Sequence, residues 1–180
     1  IFVMVSAITS ALAAWKAAPY LPTLSRDVDR LLDLAEIKDD DLVYDLGAGD
    51  GRILTGALRR GPRVRVIGFE LSLFFYLVCL IRLWLTGARG RATIRWQDFF
   101  RQPLTPANVV VCFLTPEAMA KLEPKFRAEL RPDTRVVSAV FPMPHWPPDR
   151  RDKVEGRVAL YRYIVPPLEP DEWGKTMAGG

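Results

Sequence analysis

The sequence predicts an α/β fold built on a doubly wound, mainly parallel sheet. Three observations carry that prediction. Short apolar runs rich in Val and Ile alternate with longer helix-patterned segments through most of the chain. The first run ends in a turn of glycines, VYDLGAGDGRI at 43–53, with Gly47, Gly49 and Gly51 at alternate positions. No internal repeat interrupts the 180 residues, a length that suits one domain with a proper core. Strands alternating with helices need right-handed crossovers, and these build a parallel sheet covered on both faces.

The elements follow in order. Pro19 and Pro22 enforce an extended entry. A helix comes next, with Val28, Leu31, Leu32 and Ala35 on one face. A strand is expected over 41–46 and a helix over 51–61, opening at Gly51. A strand over 64–70 leads to a helix over 71–87, assigned by its length. Strands over 92–96 and 108–114 precede a helix over 116–130, with a bend expected at Pro124. Strands over 134–141 and 157–165 complete the set, and the Pro-, Gly- and acid-rich tail is expected to be loose.

Composition narrows the function. An apolar share of 49% and five Trp exclude a disordered chain. The net charge is +4, and 19 of the 25 basic residues are arginines scattered along the chain. Scattered charge fits anionic lipid or nucleic acid only weakly. Cys79 and Cys112 sit in apolar runs and read as small buried hydrophobes, which suggests a reducing compartment. One histidine and no Cys/His cluster argue against a structural metal site.

The N-terminal IFVMVSAITSALAAW carries no charge before Lys16. It is shorter than the roughly 20 residues that span a bilayer. Because the sequence does not open on Met, a longer hydrophobic segment is expected, and residues 1–16 are read as part of a membrane anchor. A signal peptide or a buried helix are the alternatives. Lys16, Arg26 and Arg30 follow, which places the domain at 17–166 on the cytoplasmic side. Residues 167–180 form the tail.

The glycine turn points to a ligand at the carboxyl edge of the sheet. It reads D-x-G-x-G-x-G from Asp45 to Gly51, one residue tighter than a dinucleotide fingerprint. An acid at Asp45 repels a pyrophosphate and suits an ammonium group. No Gly-Lys-Ser/Thr follows, so a P-loop is excluded. Glu70, at the end of the second strand, is placed to accept both hydroxyls of a ribose. Asp98, after the third strand, is placed to accept from an adenine amine, with Trp96 or Phe99 against the ring. Adenine, free ribose and an amino-acid end together describe S-adenosylmethionine. A lone Asp after a strand is usually a helix cap; the ordered set is much harder to obtain by accident.

DLGAGDGRI is similar to the first motif of the class I methyltransferases, which implies their Rossmann-like fold. PYLPT, YDLGAGDGRI, FELS, QDF, LTPEAMAKLEPKFRAEL and FPMPHWPPD, in that order, resemble a narrower family. It comprises the membrane-anchored protein-lysine N-methyltransferases of the ATP synthase c-subunit and adenine nucleotide translocase type, with their prokaryotic relatives. The resemblance runs from about Pro19 to Tyr163, and FPMPHWPP is its specific part. It implies a cofactor site at Tyr20, Thr23, Asp45, Gly47, Ala48, Gly49, Gly51, Glu70, Leu71, Asp98, Phe99 and Leu114. It also implies an N-terminal hydrophobic helix, a membrane-protein substrate, and no nucleic-acid or metal partner. The helix after Glu70 departs from that pattern. It is apolar nearly all round, with only Arg82 charged, so it is expected to be buried, membrane-facing or in an oligomer contact.

The acceptor is expected by the fourth and fifth strand ends. Enzymes that methylate adenine or glutamine amide nitrogens carry Asn/Asp-Pro-Pro-aromatic after the fourth strand, and this chain has Leu114-Thr115-Pro116-Glu117. Thr115 offers a carbonyl to an amine, Pro116 shapes the turn, and Glu117 is read either as steering a cation or as favouring the helix dipole. In the proline-stiffened loop after the fifth strand, His145 is the candidate proton acceptor and Trp146 the candidate wall of an aromatic channel. Each has a purely structural alternative. Three functions remain: a methyltransferase for lysine of a membrane protein, one for a small or lipid-like amine, and a tethered S-adenosylmethionine-binding module.

Overall fold

The computed structural model describes residues 25–88 and 90–166, with residues 3, 5–7, 9 and 11 near the start. Seven strands form one sheet: β1 (Leu42–Leu46), β2 (Arg65–Glu70), β3 (Ala92–Trp96), β4 (Val109–Cys112), β5 (Arg135–Ala139), β6 (Arg150–Asp152) and β7 (Leu160–Ile164). Within 25–166, α1 (Ser25–Leu34) precedes the sheet, and α2 (Arg52–Leu58), α3 (Leu73–Leu85) and α4 (Pro116–Glu129) lie between strands. The spatial order is β3-β2-β1-β4-β5-β7-β6. The first five strands are parallel, and β7 runs antiparallel between β5 and β6. The order reverses at β1, whose neighbours are β2 and β4, so a crevice opens there at the carboxyl edge.

Alternation along the strands sorts the core into two layers. Val43, Val66, Ile94, Val109, Val111 and Val137 face α1, α2 and α3. Tyr44, Leu46, Phe69, Val110, Cys112 and Val136 face α4 and the loop after β5. Central strand β4 is buried on both faces, as its unbroken VVVC composition requires. In α1, Val28, Leu31, Leu32 and Ala35 are all buried, as their spacing predicts. Backbone carbonyls at the end of α1 need partners from elsewhere. Arg135 donates to the carbonyls of Ala35 and Glu36 and pairs with buried Asp41 at 2.7 Å, while Arg162 donates to that of Leu34.

Four differences from the sequence reading have physical causes. Strand β6 was not anticipated: its RRD sequence is half exposed and carries no apolar alternation. The last strand begins three residues later than expected, at Leu160, because 157–159 belong to the approach from the β6 turn. The strand at 134–141 stops at Ala139, since Val140 has φ 71°, a left-handed conformation rare for a β-branched residue. Of the alternatives for helix α3, burial does not hold: only Cys79 and Leu83 are buried, because one face alone packs on the sheet.

Helix α4 runs through Pro124 without ending there. Both cysteines are free and buried. Among the N-terminal residues, 3, 5–7, 9 and 11 are helical, and Thr9 Oγ1 accepts from Leu73 N at 3.1 Å, at the head of α3. Among the described residues, no helix is long and apolar enough to cross a membrane. Tyr20, Thr23, Lys16 and the tail beyond 166 lie outside the described residues.

Candidate active site

Strands β1, β2, β3 and β4 end side by side and deliver the predicted residues to one edge. Asp45 is paired in register with Gly68 of β2 and Val111 of β4, and is 1% exposed. The turn that follows has φ 91° at Gly47, 52° at Gly49 and 78° at Gly51. All three lie in the left-handed region, which glycine enters without strain. The Phe69 carbonyl accepts from Gly47 N and Ala48 N at 3.0 and 2.9 Å, which ties the turn to the end of β2. Leu114 packs against the same turn, close beneath Gly47.

Glu70 is buried and accepts from Gly49 N at 2.9 Å and from Ser72 N at 2.8 Å. A carboxylate has acceptor capacity beyond these bonds. Burial pushes the Glu70 carboxyl up, against the pull of the backbone N–H groups of Ser72, Gly49 and Leu71. Burial also tends to push Asp50 up. Hydrogen bonds from Arg52 and the charge of Arg82, whose Nη2 lies 2.9 Å away, outweigh that and hold it below its usual value.

Asp45 is the unusual group. Its Oδ2 is buried and has no hydrogen-bond partner. Burial first, then the charges of Glu70 and Asp50, push its carboxyl up to about 8. A buried, unpartnered acid among other acids lacks a cation. The ammonium of S-adenosylmethionine fits that need. The glycine turn leaves the backbone open to close approach, and Glu70 stands one strand away on β2.

The adenine end is built differently from the rest. Asp98 caps the short 3₁₀ turn Phe99–Arg101, accepting from Phe100 N at 3.1 Å. Phe99 is buried and its ring centroid lies 4.6 Å from that of Phe100. Trp96 donates its indole N–H to the Leu71 carbonyl at 2.8 Å, and its ring is half exposed beside Tyr76.

On the acceptor side, Thr115 caps α4. Its hydroxyl accepts from Ala118 N at 3.3 Å and its carbonyl from Met119 N at 3.0 Å. The carbonyl expected to hold an amine therefore already serves the helix through one lone pair. Pro116 opens α4, and Glu117 is exposed in its first turn.

The loop after β5 is latched by a residue the sequence reading missed. Buried Glu123 of α4 accepts from His145 N at 2.9 Å and from Arg127 at 3.3 Å. Arg127 also donates to the His145 carbonyl and lies 4.8 Å over the Trp146 ring. Trp146 is 7% exposed against Tyr163, so its ring is engaged in packing rather than open to a channel. The His145 side chain, by contrast, is 86% exposed. The i, i+4 spacing of Glu123 and Arg127 was visible in the sequence, but their loop partner was not. A cavity of about 430 Å³ beside the end of β5, lined by Arg26, Asp27, Val140 and Gly156–Ala159, was equally invisible. Among the described residues, no group of three His, Cys, Asp or Glu is placed to hold a metal.

A buried acid near the end of β1, the glycine turn that follows it, a buried acid at the end of β2 and this strand order match an S-adenosylmethionine-dependent methyltransferase. Residues 45–150 match the ANTKMT methyltransferase domain, and the chain belongs to that family. A protein-lysine N-methyltransferase of Saccharolobus islandicus is 37% identical over 150 residues, covering 82% of this chain and 93% of that protein. The Homo sapiens lysine N-methyltransferase of the ATP synthase c-subunit is 32% identical over 131 residues, 73% of this chain. The chain spans about half the length of that relative, 55%. Among solved structures, an RNA methyltransferase of Salinibacter ruber in complex with S-adenosyl-L-homocysteine aligns with a TM-score of 0.78. It is 35% identical and covers 84% of this chain and 97% of its own. S-adenosylmethionine is the cofactor.

Proposed function

We propose that this chain methylates the side-chain amine of a lysine in a membrane protein. The observation that carries the reading is the 37% identity to a protein-lysine N-methyltransferase across nearly that protein's whole length. The acceptor edge agrees: Thr115-Pro116-Glu117 stands where a base or amide methyltransferase would carry Asn/Asp-Pro-Pro-aromatic.

S-adenosylmethionine supplies an electrophilic methyl on its sulfonium. The chain's own task is to position and to exclude water. Asp45 takes the ammonium, Glu70 the ribose, and the 45–51 turn the backbone contacts. The lysine nitrogen attacks the methyl, the N–C bond forms as the S–C bond breaks, and the amine proton leaves. An amine enters as the neutral nucleophile once desolvation lowers its pKa, so no strong base is needed. His145, exposed on the loop after β5, is the group proposed to take the proton.

The same reading assigns residues 1–16 to a hydrophobic anchor, 17–166 to the catalytic domain on the cytoplasmic side, and 167–180 to a tail. Its support is the uncharged N-terminal run followed by Lys16, Arg26 and Arg30.

The Salinibacter relative favours a second reading, with RNA as acceptor. One experiment separates them. The full chain is incubated with methyl-labelled S-adenosylmethionine and a lysate of the encoding organism, divided into membrane, RNA and lipid-extract fractions. Label in methylated lysine of a membrane protein, identified by mass spectrometry, supports the proposal. Label in RNA, or in an extractable amine, overturns it.

A further inference from the structure

We infer that Arg82, on α3 and outside the motifs of the site, is a positioning residue for S-adenosylmethionine, acting through Asp50 of the glycine turn. Asp50 stands between Gly49 and Gly51, so its carboxylate is the one side-chain handle on that stretch of backbone. It is 8% exposed. Arg52 holds it from α2, donating Nε to Oδ1 and Oδ2 at 3.0 and 3.1 Å and Nη2 to Oδ2 at 2.8 Å. Arg82 holds it from α3, donating Nη2 to Oδ2 at 2.9 Å. The two arginines differ in what they fix. Arg52 lies 2 residues from Asp50 and moves with the turn, whereas Arg82 lies 32 residues away and ties the turn to a separate helix.

Helix α3 is shaped for that contact. Arg82 is the only charged residue from Leu71 to Leu85, and its guanidinium pairs with the turn. Cys79, one turn earlier on the same face, packs beneath Gly51: a Cβ added there would stand 2.5 Å from Cys79 Sγ. At the head of the helix, Ser72 N donates to Glu70 Oε1 at 2.8 Å. One helix thus supports both the turn and the acid that ends β2. Charge makes the Arg82 contact matter for the ligand. Asp45, Asp50 and Glu70 stand together around the turn, and Arg52 and Arg82 are the cations that face Asp50. With both arginines on Asp50, Asp45 is the acid left open to the ligand's ammonium. Without Arg82, a mostly buried carboxylate loses one of these two cations. It then swings toward water, away from the neighbouring acids, and draws Gly49 and Gly51 with it.

Calorimetry with S-adenosylhomocysteine on the full chain tests this, with the unsubstituted protein as the reference. Arg82→Gln should weaken binding about threefold or more, while the unfolding temperature moves little because the ion pair is partly exposed. Arg82→Lys keeps the cation and should recover most of the affinity. In an Asp50→Asn background, Arg82→Gln should have no further effect, because residues acting through one contact are not additive. Ile81→Gln, on the exposed outer face of α3, should bind as the reference does. Four results overturn the inference. They are native affinity in Arg82→Gln, an Arg82→Lys variant as weak as Arg82→Gln, an equal loss from Arg82→Gln with or without the Asp50 carboxylate, and an equal loss from Ile81→Gln. If Asp50→Asn does not fold, the comparison of Lys with Gln at position 82 decides alone.

Discussion

Gly49 N and Glu70 Oε2 lie 2.9 Å apart, so the acid that ends β2 also holds up the glycine turn that follows β1. If Glu70 takes the ribose as proposed, ribose recognition and turn geometry share one side chain. Glu70→Ala removes the ribose partner and leaves two backbone N–H groups, Gly49 and Ser72, without an acceptor. A lost charged hydrogen bond costs about 1.5–3 kcal/mol, so S-adenosylhomocysteine affinity should fall at least about tenfold. Calorimetry on the purified variant checks this. Unchanged affinity would put the ribose elsewhere.

Asp45 makes binding depend on pH. With its carboxyl at about 8, the empty site is mostly protonated at neutral pH, and seating an ammonium expels that proton. Affinity should rise as pH approaches 8. Above that the ligand's own α-amino group, with an ordinary pKa of about 7.7–8.0, loses its charge and affinity declines. A maximum near pH 8 is expected in calorimetry, with proton release on its acid side. Stability follows the opposite course. The folded-state pKa is raised above 3.8, so Asp45's contribution is complete below about that pH and is lost as pH rises toward 8. Thermal unfolding of the free enzyme should show this slope, and saturating S-adenosylhomocysteine should flatten it.

Much of this site was legible because backbone chemistry is written in residue types. Three glycines at alternate positions marked a turn where the backbone meets a ligand, and all three lie in the left-handed region. The spacing of the two acids placed them on adjacent strands, where Glu70 and Asp45 are found. What escaped depends on distance in three dimensions. The burial of Glu123 is decided by a loop more than 20 residues away, and no local pattern marks a mid-helix acid as a latch. Trp146 shows the same limit. Its sequence neighbours suggested a binding loop, while its packing partner Tyr163 lies on β7, 17 residues later and beside β5 in the sheet. Strand β6 carries no pattern at all, because an edge strand of Arg, Arg and Asp is recognised only by its pairing with β7.

Gly68 tests the packing beneath the turn. A Cβ there would stand 2.6 Å from Leu54 Cδ1, 2.8 Å from Ala48 Cβ and 2.9 Å from Ile94 Cδ1. Leu54 and Ile94 have rotamers to adjust, but Ala48 is fixed to the turn itself. Gly68→Ala should destabilise by about 1–3 kcal/mol through overpacking. It should also weaken S-adenosylhomocysteine binding, because the clash pushes Ala48 and its neighbours out of place. Thermal unfolding and calorimetry on one preparation would reveal both effects; a stable variant with native affinity would show the contact to be soft.

Neighbours in sequence, His145 and Trp146 should separate cleanly in experiment. Trp146 is buried against Tyr163 and Arg127, so Trp146→Ala should cost about 3–5 kcal/mol of stability, in the range of large aromatic truncations in cores. Any fall in its turnover should track the fraction unfolded and recover on cooling. His145 makes its loop hydrogen bonds through the backbone, with N donating to Glu123 and O accepting from Arg127, while its 86% exposed imidazole stands with Nδ1 3.9 Å from Glu123 Oε2. His145→Ala keeps both backbone groups and loses only an exposed contact with Glu123, so the unfolding temperature should move little. If the imidazole takes the amine proton, kcat should drop and the acid limb of the pH–rate profile should change, while S-adenosylhomocysteine affinity stays the same. His145→Gln separates proton transfer from simple contact, since the amide keeps hydrogen bonding but does not titrate. Full activity in both His145 variants would reduce the loop to its packing role and leave proton removal to water.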